Sequence, residues 1–217
     1  MGFKAALNTA KNMFKSFTKG FSNFVNTKLR KQVPKLEGRI KAVIVQEFVN
    51  SDEYEALVNG PLDAHFGFPK GSSGAIVEAI ISELAKSLYV DFEPFVPVGR
   101  EIRGALNFRA INADFSHILD LPEAQVITEK GESLPWLSWM LTRGDEIIIT
   151  QYKIVMKPFD TPPSRSGKAI MTTAVNGVWR VPPEFSGTRT NNWVTKTVDR
   201  LNERVLSIIT EEVQRIL

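Results

Sequence analysis

The chain has 217 residues, 43% of them hydrophobic and 24% charged, with a formal net charge of +3 and no cysteine. The missing cysteine excludes disulfides, thiolate nucleophiles and cysteine-held metals, and two histidines supply the usual catalytic triads poorly. No apolar run approaches the ~18–20 residues that span a bilayer, so stable membrane insertion is not expected, and neither a secretory segment nor a myristoylation pattern is expected at the start, where Ala6 stands in place of Ser or Thr.

The charge is unevenly placed. Residues 1–36 hold eight basic side chains (Lys4, Lys11, Lys15, Lys19, Lys28, Arg30, Lys31 and Lys35) and no acidic one, which leaves −5 on the remainder. In the same segment Phe3, Leu7, Ala10, Phe14, Phe17, Phe21 and Phe24 recur at intervals of 4 and 3, which predicts one apolar stripe along a helix with lysines on the other faces. Packing of this stripe on the body of the protein or on a neighbouring subunit is the first reading. Contact of the lysines with DNA phosphates is the second, and a membrane-surface helix the third. Pro34 is read as the break between a basic amphipathic extension, residues 1–34, and the main domain, residues 35–217.

Leu36, Ile40, Val43, Ile44 and Phe48 continue a helical period, and Ser51-Asp52-Glu53 reads as a cap with an acidic first turn before a short helix to Val58. His65, set among Ala64, Phe66 and Phe68, is expected to be a hydrogen-bonded structural histidine, since no second ligand is spaced for a metal. The glycine-rich stretch Gly67–Gly74 lacks the phosphate-loop order and reads as a loop, with Ser72 or Ser73 capping a helix Ala75–Leu88 that lies on a sheet. Strands are expected at 88–92, 105–111, 124–128, 147–156, 169–173 and 178–181, with 114–121 open between strand and helix. Pro94 and Pro97 should end the first of these. Pro135 opens a helical turn carrying Trp136, Leu137, Trp139, Met140 and Leu141, and Gly144 stops it. Asn176-Gly177 signals a two-residue hairpin between Ala174-Val175 and Val178-Trp179. The loop Pro158–Lys168 reads either as a contact arm, with Arg165 and Lys168 meeting an acidic neighbour, or as a hairpin tip without a role. A last helix starts near Thr190–Asn192 and buries Val194, Val198, Leu201, Val205, Ile208, Ile209, Val213 and Ile216, with Glu203, Glu211 and Glu212 on its solvent side. Trp136, Trp139, Trp179 and Trp193 are expected as structural anchors, Trp193 locking this helix near Trp179. The class is therefore α+β, a mixed or antiparallel sheet flanked by N-terminal helices and a long C-terminal helix.

The phrases PWLSWMLTRGD (Pro135–Asp145), SRSGKAIM (Ser164–Met171), WRVPPEFSGT with NNWVT (Trp179–Thr195) and FVNSDEYEALVNGPLDAHFGFP (Phe48–Pro69) give the chain a resemblance to the tail-completion and neck proteins of tailed bacteriophages. The resemblance covers Leu36 to Val205. It implies a non-enzymatic virion protein, assembled in the host cytoplasm, that forms a homo-oligomeric ring between the head connector and the tail terminator or tail tube. It implies no cofactor. Phe14, Phe17, Phe21, Lys15, Lys19, Arg165 and Lys168 are the candidate contact residues for subunits or partners. The alternative is a DNA-binding or packaging accessory protein acting through the basic helix.

Overall fold

A computed structural model describes residues 2–99, 101–109, 114–128, 131–156 and 165–216. The class is α+β, with seven helices and three antiparallel ladders of two strands each among the described residues. The helices are α1 Gly2–Val49, α2 Asp52–Val58, α3 Pro61–Phe66, α4 Ser73–Lys86, α5 Ser116–Leu119, α6 Trp136–Thr142 and α7 Trp193–Ile216; Pro122–Ala124 adds one 3-10 turn. The strands are β1 Tyr89–Val98, β2 Glu101–Arg109, β3 Val126–Ile127, β4 Ser133–Leu134, β5 Ile149–Met156 and β6 Ala169–Trp179. The chain divides into two compact units, one of Met1–Ala42, Leu88–Ala110 and Asn202–Leu217, the other of Val43–Ser87 and Ile111–Leu201. This division does not follow Pro34, because α1 runs through that proline without a break. The ring costs the helix one hydrogen bond there, and the buried residues on both sides, Leu29 and Leu36, hold the helix together.

The first unit is built on α1. Val25, Leu29, Leu36 and Ile40 of α1 are buried, as are Leu88, Val90, Val205 and Ile208. Thr18 and Ser22 are buried on the same side and satisfy their hydroxyls on the carbonyls of Phe14 and Thr18, at 3.0 and 2.8 Å. The β1–β2 hairpin continues past both prolines. Pro94 and Phe95 lie opposite the single residue Gly104, a bulge between the pairs Glu93–Ala105 and Val96–Arg103. A Cβ on Gly104 would stand 2.7 Å from the Phe95 Cα, so only glycine fits. The bulge frees the backbone of Phe95 from the ladder, and Asn26 of α1 takes both groups: its Nδ2 donates to the Phe95 carbonyl (2.9 Å) and its Oδ1 accepts from the Phe95 N–H (2.7 Å). Glu212, expected on the solvent side of α7, is buried instead and meets the guanidinium groups of Arg39 (3.4 Å) and Arg215 (3.1 Å).

The second unit holds an aromatic core. Phe66, Phe68, Trp136 and Trp179 pack edge to face or tilted, with ring centres 5.1–6.3 Å apart. Trp139, half-buried, meets Trp179 at 5.4 Å. Trp193 does not reach Trp179 as expected; it stands perpendicular to Phe48 at 5.2 Å and its indole N–H donates to Ser51 Oγ at 2.8 Å. That places it between the end of α1 and the cap of α2, since Ser51 Oγ also accepts from Tyr54 N. Helix α4 packs on α2, α5 and the 3-10 turn, not on a sheet, and Ser72 makes no side-chain cap, its hydroxyl bonding Pro69 O instead. Asn176-Gly177 is not a hairpin turn. β6 pairs with β5 on both sides of it, and Ala174–Gly177 form a wide bulge opposite Gln151.

Candidate functional site

Two surfaces stand out because they are apolar and open. The first is a face of α1. Phe14, Phe17, Phe21 and Phe24 are 46%, 69%, 39% and 49% exposed, and Met13 beside them 68%. The face that α1 buries, with Thr18, Ser22, Val25 and Leu29, lies next to this stripe rather than on it. The reading that packs the phenylalanines on the protein's own body is thus corrected for these residues. Phe3, Leu7 and Ala10 belong to a stretch whose side chains lie outside the described residues. Phe17 and Phe21 stack on each other at 6.2 Å, and the ammonium of Lys28 sits 5.6 Å from the Phe24 ring centre. By helical spacing Lys28, Lys31 and Lys35 continue the phenylalanine row, while Lys15 and Lys19 fall on the opposite side of the helix. All five lysines are exposed and, among the described residues, none pairs with a carboxylate.

The second surface is a groove of about 490 Å³ in the second unit, floored by Phe66, Leu134, Ile154 and Met171 and edged by His65, Glu132 and Arg165. The sequence positions it through three elements. Pro61 starts α3, and Gly67, at a φ of +67°, turns the chain sharply after it. The β5–β6 register places Tyr152, Ile154, Met156, Met171 and Thr173 on one face of the hairpin, because paired residues share a face and alternate residues return to it. Tyr152, Met156 and Met171 on this face are 40–46% exposed.

The polar groups around the groove are largely engaged within the chain. His65 Nδ1 accepts a hydrogen bond from Trp179 Nε1 at 3.2 Å, which sets the neutral tautomer with the proton on Nε2. Burial pushes its pKa below the ordinary histidine value, against a smaller upward pull from Glu184. Lys168 Nζ meets Asp63 Oδ2 at 2.6 Å, while Asp63 Oδ1 is buried with no partner among the described residues. The Arg165 guanidinium donates to Ile127 O at 2.5 Å. Arg165 and Lys168 are therefore held by this chain's own groups; Pro158, Pro162 and Pro163 of the same loop lie outside the described residues. Sequence reasoning found Arg165 and Lys168 but missed Ile154, Met156 and Met171, whose role appears only once the β5–β6 register is known.

Among the described residues no three histidine or carboxylate side chains converge on a metal position, and no helix is long and apolar enough to cross a membrane. Compared with protein families, curated proteins and solved structures, the chain matches none.

Proposed function

We propose that this chain is a structural subunit of a tailed-phage virion, forming a closed ring in the neck or tail-completion layer between the head connector and the tail tube or its terminator. The observation that carries the reading is the open phenylalanine face of α1. Four aromatic rings in water are a stretch of surface that a single copy leaves uncovered, as expected of a chain whose working state is an assembly. The phrases behind the resemblance are packing phrases: Phe48, Phe66, Trp136, Trp179 and Trp193 are core residues and carry no chemistry of their own. A ring of identical subunits needs a head-to-tail contact that closes, and DNA would pass through its centre. The role is mechanical, with no catalytic step and no cofactor. Deleting the gene from the phage genome that carries it tests the proposal. Full heads beside separate tails, seen by electron microscopy of lysates, are the expected result; normal infectious virions would overturn it.

A second reading rests on the unpaired lysines. A DNA-binding or packaging accessory protein would use Lys15, Lys19, Lys28 and Lys31 on phosphates, with affinity falling steeply as salt rises. Four Lys→Gln substitutions at these positions separate the readings, since they should abolish DNA binding in this case and leave ring assembly intact in the first.

A further inference from the structure

We propose that the phenylalanine face of α1 in one copy seats in the groove beside the β5–β6 hairpin of the next copy. The inference rests on the ring reading and specifies the two surfaces that meet in it. The occupant is a second copy because each copy carries both halves of the contact. One half is convex and aromatic (Phe14, Phe17, Phe21, Phe24), the other concave and aliphatic (Leu134, Ile154, Met171). They are different patches, so the contact is head-to-tail and propagates from copy to copy until it closes.

Length, charge and area agree with this pairing. Phe14 to Phe24 spans about 15 Å along a helix, and Tyr152 to Met156 spans about 13 Å along a strand. The unit that bears the stripe has fifteen basic and seven acidic residues, a net of +8, whereas the unit that bears the groove has twelve and seventeen, a net of −5. Copies therefore attract in the orientation that brings stripe to groove, and like units repel. Methionines at the hairpin face adapt to aromatic rings. Four half-exposed phenylalanines and Met13 offer roughly 400 Å², about half of the ~800 Å² each partner contributes to a standard interface. The contact is thus the apolar centre of an interface, with charged surface around it.

Because the natural chain has no cysteine, single cysteines report the contact cleanly. Phe17→Cys and Met171→Cys chains, each otherwise full length, are mixed and oxidised; Val175→Cys, 95% exposed on the bulge, is the control partner. A disulfide-linked heterodimer with Met171→Cys and not with Val175→Cys is expected. In parallel, Phe17→Asp should raise the concentration of half-assembly, measured by sedimentation, at least about tenfold without lowering the melting temperature, since Phe17 is 69% exposed. Oligomers that form without the Phe17–Met171 link overturn the inference and leave the ring reading standing. A chain that stays monomeric and pellets with phosphatidylglycerol vesicles through Phe17 overturns it in favour of a lipid surface. A chain that stays monomeric without binding vesicles overturns it too.

Discussion

Asn26 illustrates a residue whose importance is conformational. Its amide does for Phe95 what a third strand would do, and Asn26→Ala leaves one N–H and one carbonyl without protein partners. The expected cost is about 1–3 kcal/mol, read as a lower urea midpoint at unchanged m-value. His65 supplies a pH dependence. Its folded pKa lies below the ordinary 6.5, so between that value and the folded one the unfolded chain binds more protons and stability falls. The contribution is complete above pH 6.5 and lost as pH drops through the folded pKa. His65→Gln should flatten the urea midpoint over that window, while the wild type declines. The tryptophans were legible in the sequence as anchors because large aromatics are rarely left in water, and Trp136 and Trp193 are fully buried. Asn26 was not legible, since one asparagine on a helix carries no sign of a partner 69 residues away.

At the scale of elements, the boundaries of α2, α6 and α7 follow from caps and periods in the sequence, and Gly144 takes the expected left-handed turn with φ +58°. The stripe on α1 has the expected period but the opposite exposure. Periodicity states which residues share a face; it does not state which face the rest of the fold covers. The Asn176-Gly177 pair misled for a related reason. Positive φ is needed there, with Asn176 at +59°, but in a bulge as well as in a turn. Gly177 is fixed by contact: an added Cβ would lie 2.6 Å from Tyr152 O. Gly177→Ala should therefore cost about 1–3 kcal/mol and loosen the β5–β6 ladder, seen as faster amide exchange at Tyr152 and Thr173. Restoration of wild-type exchange in that variant would show that the bulge does not depend on glycine.

For the whole molecule, the division expected at Pro34 implied that residues 1–34 are dispensable to the fold. The burial of Thr18, Ser22, Val25 and Leu29 makes them part of the first unit. Removing residues 1–34 should forfeit about 3–6 kcal/mol of apolar burial from Val25 and Leu29 alone and strand the β1–β2 hairpin, since two strands are marginal by themselves. Amide exchange of β1 and β2 in the truncated chain measures this; retained protection would restore the dispensable extension. Substitutions confined to Phe17 and the exposed lysines are for this reason the cleaner probes of function.

The open phenylalanine face of α1 also sets a thermal signature. Burying aromatic surface releases ordered water, a gain that is entropic near room temperature and shrinks as the solution is chilled. Whatever covers Phe14, Phe17, Phe21 and Phe24 does so with a negative heat-capacity change, and its grip weakens in the cold. Samples handled on ice will hold more of the free chain than samples kept warm, so temperature alone selects which species is observed.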